Sequence, residues 1–252
     1  MSDSTSAFSL TERHGLGTVG RFAVLQSVAG VDHLVTTARS IDPQAIRHQR
    51  DHAAVEIAAG MDLPGVAWCT QVHQDSIHLA TSGGHLGEGD AVVTNRRGLG
   101  LMVVSADCPL ILLADTQSNW IGAVHASWRS TAGRLAGKTV ELLTNCGVDP
   151  VGLVACIAPS AGPCCYEVGP EVRQEFVDRL GRASGEWFAA GREDRWMLDL
   201  WRANTDQLCT AGLPAGNIHR AGVCTICGDG TFPSHRREGD AAGRFAAVIA
   251  RR

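Results

Sequence analysis

Three polar residues interrupt apolar segments of the chain, and their types suit a metal ion. His73 lies in CTQVHQ, Cys108 in SADCPL and His125 in GAVHASW, each where a strand is expected to end or turn. Because strand ends can converge on a cleft, two imidazoles and one thiolate could meet there and bind zinc. Three protein ligands leave a fourth position for water or substrate, as in catalytic zinc sites. The alternative is that each histidine is an ordinary core residue and that Cys108 is buried filler.

Three further charged residues are candidates for a site around this cluster. Asp107 directly precedes Cys108 in an apolar run, where a carboxylate is costly unless it is paired. It is expected either to support a ligand or contact substrate, or to cap a strand end. Arg129 lies at or near a helix start, where a guanidinium favours phosphate or carboxylate, unless it is a surface arginine beside a tryptophan. Arg236 in SHRREG is an anion contact or part of a solvated basic turn.

Two cysteine pairs stand out in the second half of the chain. PSAGPCCYEVG predicts an ordered, turn-rich loop in which Tyr166 either lines a pocket or belongs to a structural turn. We do not expect the adjacent Cys164 and Cys165 to chelate one tetrahedral metal together. Cys224 and Cys227 form a CxxC pair, which is half of a zinc ribbon, but no second pair follows at suitable spacing. They are therefore interpreted as two cysteines on a strand and turn.

Composition places the chain among ordinary globular proteins. It has 252 residues, 44% of them hydrophobic and 19% charged, which fits one domain over 1–252 with a flexible polar tail at 1–12. The net charge of -4 has no long run of one sign, so nucleic acid is not an expected partner. No signal-peptide pattern opens the chain, and its most apolar stretch is interrupted by Asp107 and Pro109, which argues against a membrane helix.

These features predict a cytoplasmic protein, and that determines how its nine cysteines are interpreted. An odd number of cysteines in a reducing compartment does not indicate a disulfide framework. Most of them are expected to be small buried hydrophobic residues.

The hydrophobic pattern predicts strands and helices that mix without a strict alternation. GVAWCTQVHQDSIHLA is expected to form a strand or a bent pair of strands, and AVVTN, LGLMVVSA, LILLAD, WIGAVHA, VGLVACIA, NIHRAGVCTI and GRFAAVIA are further strands. STAGRLAGKTVELLTNCG, PEVRQEFVDRLG and DLWRANTDQLCTAG carry helix periodicity and helix stop signals. We predict an α+β layered domain rather than a doubly wound sheet.

Several segments together resemble a known family. TQVHQ, GDAVVT, SADCPLILLAD, GAVHASWRS, APSAGPCCYEVG and SHRREGDAAGR are similar, in order and spacing, to the YfiH-like, multicopper-polyphenol-oxidase-type proteins. Those proteins are also described as laccase-domain proteins or purine nucleoside phosphorylases. The similarity runs from about Gly65 to the end of the chain.

The resemblance implies a single layered α/β/β/α sandwich and a zinc ion held by His73, Cys108 and His125. It implies phosphorolysis of purine nucleosides and of methylthioadenosine, and deamination of adenosine, with a purine nucleoside and phosphate as the ligands. Catalytic roles are then expected for Cys108, His125 and Asp107, and substrate contacts for Arg129, Tyr166 and Arg236. Older descriptions of the family imply a copper-dependent oxidase of phenols.

The chain departs from the family pattern in three places. HASWRS carries Ser127 and Ser130 where the family usually has glycines, so a loop that used those glycines must be reshaped. His235 stands in the position of a tyrosine, and the segment from His33 to His52 lacks the usual Gly-Gly-x-Ser loop.

Rival hypotheses use the same residues. A copper oxidase would bind copper at the two histidines and Cys108, although the paired histidine motifs of multicopper centres are missing. A metal-free cysteine hydrolase or amidase would use Cys108 as nucleophile and His125 or His73 as base. A non-enzymatic subunit is the fourth hypothesis.

Overall fold

The computed structural model describes residues 8–252, which contain sixteen strands and eight helices. The strands are β1 (Phe8–Arg13), β2 (Gly17–Phe22), β3 (Val31–Thr36), β4 (Gly65–Thr70), β5 (Ile77–Leu79), β6 (Gly84–Glu88), β7 (Ala91–Thr94), β8 (Leu99–Ser105), β9 (Leu110–Asp115), β10 (Ile121–His125), β11 (Leu153–Ile157), β12 (Glu167–Val168), β13 (Phe188–Ala190), β14 (Trp196–Leu198), β15 (Ile218–Arg220) and β16 (Phe245–Arg251). The helices are α1 (Ala23–Ser27), α2 (Pro43–His48), α3 (Arg50–Gly60), α4 (Trp128–Ala132), α5 (Leu135–Asn145), α6 (Pro170–Leu180), α7 (Leu200–Thr210) and α8 (His235–Glu238).

Two large mixed sheets form the centre of the molecule. The first has seven strands in the order β1-β2-β3-β16-β8-β4-β6, and the second has six in the order β15-β11-β9-β10-β7-β5. A small third sheet, β12-β14-β13, lies beside α6 and α4, with which it shares a separate apolar cluster. The central strands of both large sheets are buried along their whole length, as expected when both faces of a sheet are covered.

Alternate side chains of the central strands enter different layers. In β16, Phe245 and Ile249 pack in the core between the two sheets, whereas Val248 packs against α2 and α3 on the outer face. In β9, Leu112 enters the inter-sheet core and Leu113 packs under α5 and α7. This alternation follows from the two-residue repeat of a strand. Each large apolar side chain fully buried in this way contributes about 1.5–3 kcal/mol.

The layer order is therefore helix, sheet, sheet, helix. This confirms the predicted α+β class and the α/β/β/α arrangement. The long apolar runs were correctly predicted as strands, and GVAWCTQVHQDSIHLA is a bent pair, β4 and β5, with His73 in the connection.

Two local predictions were wrong. The expected polar tail at 1–12 is contradicted at Phe8–Glu12, which belong to strand β1 and pair with β2; residues 1–7 lie outside the described residues. The helix expected over STAGRLAGKTVELLTNCG is divided into α4 and α5, because Arg134 adopts a left-handed conformation with φ of 61°. Across residues 8–252, no helix combines the length and apolarity that a membrane span requires.

Candidate functional site

The structure brings His73, Cys108 and His125 together, with their ligand atoms within 4.8 Å of one another. His73 lies in the connection between β4 and β5, Cys108 in the turn between β8 and β9, and His125 is the last residue of β10. Exposure decreases across the three, from His73 at the surface to His125, which is buried. The cluster therefore joins the two sheets at one end and opens to solvent at His73.

Asp90, which precedes β7, organises this cluster from behind. Its fully buried carboxylate accepts the Nδ1–H of His125 at 2.8 Å and the backbone N–H groups of Val72, His73 and Gln74 at 3.2, 3.0 and 2.8 Å. One side chain thus fixes both the ring of His125 and the loop that carries His73. Because Nδ1 of His125 donates to Asp90, its Nε2 is left to face a ligand, the arrangement that commonly orients metal-binding histidines.

The loop around His73 needs this support. His73 has φ of 59°, in the left-handed region that a residue with a side chain seldom adopts. Gln71, two residues earlier, holds the loop to β8 by donating to the carbonyl of Val104 at 2.7 Å and accepting its N–H at 2.8 Å. Hydrogen bonds to Asp90 and Val104, and not the intrinsic preference of His73, therefore determine this backbone conformation.

Without a metal ion, the cluster pairs a Cys108 thiolate with a protonated His125. Burial raises the pKa of the Cys108 thiol, but hydrogen bonds from His125 and His73 outweigh it and lower the pKa to about 6. Burial lowers the pKa of His125, but Asp90 and the Cys108 sulfur outweigh it and raise the pKa to about 9. When His125 gives up its Nε2 proton to a metal, the thiolate, the two imidazoles and the supporting carboxylate form a donor set that zinc prefers. The residues present therefore fit a zinc ion.

Asp107 lies beside the cluster but its carboxylate points to two other segments. One oxygen accepts the hydroxyl of Thr225 at 2.6 Å and the other accepts the N–H of Arg236 at 2.7 Å. The carbonyl of Asp107 accepts the N–H of Ala161 at 2.8 Å. Its φ of 96° turns the chain sharply just before Cys108. Asp107 thus ties the Cys108 turn to the loops that surround it, and its catalytic role stays a prediction.

Tyr166 and Arg236 lie together on one side of Cys108. The guanidinium carbon of Arg236 is 5.3 Å from the centre of the Tyr166 ring, and its Nη1 donates to the carbonyl of Glu167 at 3.1 Å. Burial and the nearby Cys108 charge raise the pKa of the Tyr166 phenol, so its hydroxyl keeps its proton at neutral pH. The effect of the Cys108 charge indicates that Tyr166 lies beside the cluster, and substrate contacts by Tyr166 and Arg236 stay a prediction.

A cleft of about 360 Å³ opens on the His73 side of the cluster. Its wall includes His73, Trp128, Arg129 and Arg179. The Arg129 guanidinium carbon lies 4.2 Å from the centre of the Trp128 ring, so the arginine is held flat at the mouth of the cleft. The volume is within the range of small-molecule sites, about 300–1,000 Å³. A larger cavity of about 720 Å³ lies between α3 and β6 and contains none of the candidate site residues.

The serines that depart from the family pattern fit where they stand. Ser127 caps α4 by accepting the N–H of Ser130 at 3.2 Å, and the two hydroxyls are 2.7 Å apart. Ser127 has φ of -57°, which any residue can adopt, and a reshaped loop relative to the family stays a prediction. His235 is at the start of α8, where its Nδ1 lies 2.9 Å from the carbonyl of Gly239.

The cysteines are distributed differently from the prediction. Only Cys69 and Cys156 of the nine are buried, so the expectation that most are buried filler was wrong. All nine are free thiols. The two cysteine pairs, which sequence spacing kept apart, form one group whose sulfur atoms lie within 4.8 Å of one another. This group consists of Cys164, Cys165, Cys224 and Cys227.

The family model "Multi-copper polyphenol oxidoreductase laccase" matches residues 30–252. The chain belongs to this family. Its fold is that of YlmD from Geobacillus stearothermophilus, whose crystal structure it matches with a TM-score of 0.84 and 27% identity over 98% of this chain and 100% of that one. The crystal structure of Bacillus licheniformis YfiH, at 24% identity and a TM-score of 0.81, shares the fold over 96% of this chain and 99% of that one.

Curated relatives of this family member carry nucleoside-related names. A Deinococcus radiodurans protein named purine nucleoside phosphorylase is 38% identical over 84% of this chain and 79% of its own length. The Geobacillus stearothermophilus protein named purine nucleoside phosphorylase YlmD is 31% identical over 96% of this chain and 89% of its own length. A protein from an unknown prokaryote named adenosine deaminase RL5 is 34% identical over 65% of this chain and 62% of its own length.

Asp90 is the site residue that sequence reasoning missed. It lies in GDAVVT, one of the segments that carry the family resemblance, directly before a strand whose four residues are all buried. A carboxylate at the start of a fully apolar strand is costly unless it has partners, and this signal could have revealed it.

Proposed function

We propose that this chain is a zinc-dependent purine nucleoside phosphorylase. The observation that carries the proposal is the cluster of His73, Cys108 and His125, fixed by the buried Asp90 and opening on a cleft that contains Arg129. Relatives along most of the chain are named purine nucleoside phosphorylases. The substrates would be a purine nucleoside and inorganic phosphate.

Zinc would be held by Nε2 of His125, the Cys108 thiolate and the His73 imidazole. When bound, it would supply a positive charge that polarises a substrate atom in its open position. Asp90 contributes by keeping the His125 ring turned and its Nδ1 protonated.

Two arginines are the proposed phosphate contacts. Arg129 lies in the wall of the cleft, and a guanidinium can donate two parallel hydrogen bonds to phosphate oxygens. Arg236 is placed beside Tyr166, where its position is fixed by Asp107 and the Glu167 carbonyl. Holding phosphate near the ribose C1′ would supply the nucleophile in position, which is a large part of catalysis for such a displacement.

Tyr166 and Asp107 would then have distinct roles. The protonated phenol of Tyr166 can donate a hydrogen bond to the nucleoside, whereas both oxygens of Asp107 already accept hydrogen bonds. We therefore assign Asp107 to positioning Cys108 and Arg236.

The test is to supply the purified, zinc-loaded protein with inosine and phosphate and to measure hypoxanthine and ribose-1-phosphate. We expect both products in equal amounts, none without phosphate, and none from the His73→Ala variant. Arg129→Lys should raise the KM for phosphate more than it lowers kcat, while Arg182→Lys, a change at an exposed arginine, serves as the matched control. Equal product from the wild type and His73→Ala would overturn the proposal.

Adenosine deaminase and methylthioadenosine phosphorylase activities are further proposals for the same site. Adenosine without phosphate should give inosine if the chain deaminates, because hydrolysis needs only water. Methylthioadenosine should be cleaved only when phosphate is present. The two reactions are therefore separated by their phosphate requirement.

A metal-free cysteine hydrolase is favoured by one specific observation. Cys108, His125 and Asp90 form a thiol–imidazole–carboxylate series like that of cysteine hydrolases. Stoichiometric alkylation of Cys108 that zinc fails to block, together with activity in the zinc-free protein, would support it. Protection of Cys108 by zinc would argue for the metal site.

The copper oxidase hypothesis makes a different prediction about metal content. Residues 8–252 contain two groups that could bind a metal, and only one of them includes histidines, namely His73 and His125. These residues therefore form no cluster with the many histidines of a multicopper centre. Stoichiometric copper with phenol oxidation, measured on protein expressed without added copper, would support that hypothesis over ours.

We also infer that the protein works in the cytoplasm. All nine cysteines are free thiols, and four of them lie outside the two metal-capable groups, which is typical of a reducing compartment. Non-reducing gel analysis of protein taken rapidly from cells should show no disulfides.

A further inference from the structure

Four cysteine sulfurs converge at a surface loop pair outside the site described above. Cys164 and Cys165 come from the loop between β11 and β12, and Cys224 and Cys227 from the segment after β15. All four sulfur atoms lie within 4.8 Å of one another, and those of Cys164 and Cys227 are 3.8 Å apart. The pairs are distant in sequence, so the fold itself creates this group.

A short parallel bridge brings the two segments together. Ser160 and Cys224 form the bridge, in which the N–H of Ser160 donates to the Val223 carbonyl at 3.1 Å and the N–H of Thr225 donates to the Ser160 carbonyl at 3.0 Å. Trp201 fixes the bridge from α7 by donating its indole N–H to the Ser160 hydroxyl at 2.6 Å. The positions of Cys164 and Cys224 are therefore set by ordered backbone and not by a free loop.

Backbone N–H groups prepare the Cys224 sulfur to carry negative charge. Gly162 donates its N–H to this sulfur at 3.2 Å. The backbone N–H groups of Cys227 and Ile226 are further donors to this sulfur. Such donors stabilise a thiolate, the form of cysteine that binds metal.

The four thiols of the group are crowded. Their sulfur atoms lie within 4.8 Å of one another, so four thiolates there would repel one another strongly unless a positive ion compensates their charge.

Sequence spacing argued against one metal shared by the adjacent Cys164 and Cys165, but the fold brings all four sulfurs within 4.8 Å of one another. We propose that Cys164, Cys165, Cys224 and Cys227 bind a second zinc ion in a tetrahedral, four-thiolate site. Zinc–sulfur bonds of about 2.3 Å place the sulfurs of a tetrahedron roughly 3.8 Å apart, so the observed group needs only small side-chain shifts to close. A disulfide requires sulfurs at about 2.05 Å, which is much shorter than the Cys164–Cys227 separation. Four protein ligands leave no open position, so this zinc is structural.

The proposed ion would hold the wall of the first site. Cys165 immediately precedes Tyr166, and Cys224 immediately precedes Thr225, whose hydroxyl donates to Asp107. Zinc at the four sulfurs would cross-link these two segments just behind the side chains that face Cys108. The loop then keeps Tyr166 in place by a bond network that does not depend on the substrate.

The test is the zinc content of protein purified with zinc and a reductant, measured by elemental analysis per chain. We expect two zinc ions in the wild type, one in Cys164→Ser/Cys227→Ser and one in His73→Ala. The matched control, Cys146→Ser/Cys209→Ser, changes two cysteines outside the group and should keep two. Equal zinc content in the wild type and in Cys164→Ser/Cys227→Ser, or a Cys164–Cys227 disulfide in that preparation, would overturn the proposal.

Cobalt substitution tests the ligands without relying on the folding of a cysteine variant. Cobalt added to zinc-free His73→Ala should give the strong thiolate charge-transfer and visible bands of a four-sulfur tetrahedral site. Tyr166 is the only tyrosine, so fluorotyrosine labelling gives one ¹⁹F resonance, which should shift when cobalt binds nearby. Cobalt spectra without thiolate bands, or bound iron with labile sulfide instead of zinc, would contradict the assignment.

Discussion

The two ligand clusters are held by different means. His73, Cys108 and His125 lie at strand ends and are oriented by a buried carboxylate, with His125 only 2% exposed. The four cysteines lie on surface loops, with Cys164 and Cys227 exposed, and the hydrogen bonds to Cys224 come from backbone N–H groups. Contacts with the buried core fix the side chains of the first cluster, whereas a local backbone bridge fixes the segments that carry the second.

This difference corresponds to different chemistry. A mixed set of three ligands with an oriented imidazole leaves a position for substrate, and it opens on a cleft beside Arg129. Four thiolates saturate a zinc ion and leave nothing for a reaction. The number of ligands would decide which cluster has room for substrate, and the carboxylate behind His125 would decide how well the first cluster is oriented.

Asp90→Asn should have the largest effect, because it removes that carboxylate without changing its shape. The amide oxygen can accept either from His125 and the His73 N–H or from the N–H groups of Val72 and Gln74, and the NH₂ group then faces donors on the other side. We expect zinc affinity at the first cluster, or activity, to fall about 10–100-fold. Zinc titration and steady-state kinetics measure this.

The control for Asp90→Asn is Asp62→Asn. This substitution makes the same chemical change on a side chain that is 95% exposed, and the φ of 54° at Asp62 suits asparagine. We expect no change in zinc affinity there. If the two variants behave alike, the carboxylate is not what sets the first cluster apart.

The first cluster could be predicted from sequence because its ligands lie at or just beyond the ends of apolar strands, and because the family resemblance grouped the three. The strands β8, β9 and β10 are buried on both faces, so Cys108 and His125 appear as clear exceptions in the pattern. Asp90 was missed because its four partners come from a loop and a strand that only tertiary structure brings beside it.

The cysteine group could not be predicted in the same way. Its two halves meet only through the bridge between Ser160 and Cys224, and sequence spacing carries no sign of that pairing. Strand β1 was mistaken for a tail for a related reason. Its middle residues are exposed at the edge of a sheet, so its polar composition resembles that of an unstructured end.

Gly162→Ala should destabilise the second cluster while leaving the ligands of both clusters unchanged. An added Cβ would lie 2.9 Å from Cη2 of Trp201 and 3.2 Å from the Cβ of Cys224. Overpacking of this kind costs about 1–3 kcal/mol in the free energy of unfolding. Urea denaturation should detect the loss, accompanied by weaker zinc binding at the four cysteines.

Gly216→Ala is the matched control, because a Cβ at that position meets nothing within 4 Å. We expect its free energy of unfolding to stay within about 0.5 kcal/mol of the wild type. Equal destabilisation by the two alanines would mean that close packing at Gly162 does not hold the cysteine segments together.

The smallest effect is expected at Ser127, which caps the helix beside the first cluster. Ser127→Ala removes the oxygen that accepts the Ser130 N–H and should cost about 1 kcal/mol in the free energy of unfolding. Ser127→Gly should cost about as much as alanine, because Ser127 and Ser130 are buried and water cannot replace the lost oxygen. Thermal denaturation of the two variants side by side measures the difference. If glycine were clearly less costly than alanine, solvent would reach this helix end, and the buried contact between Ser127 and Ser130 would not be what stabilises this wall of the first cluster.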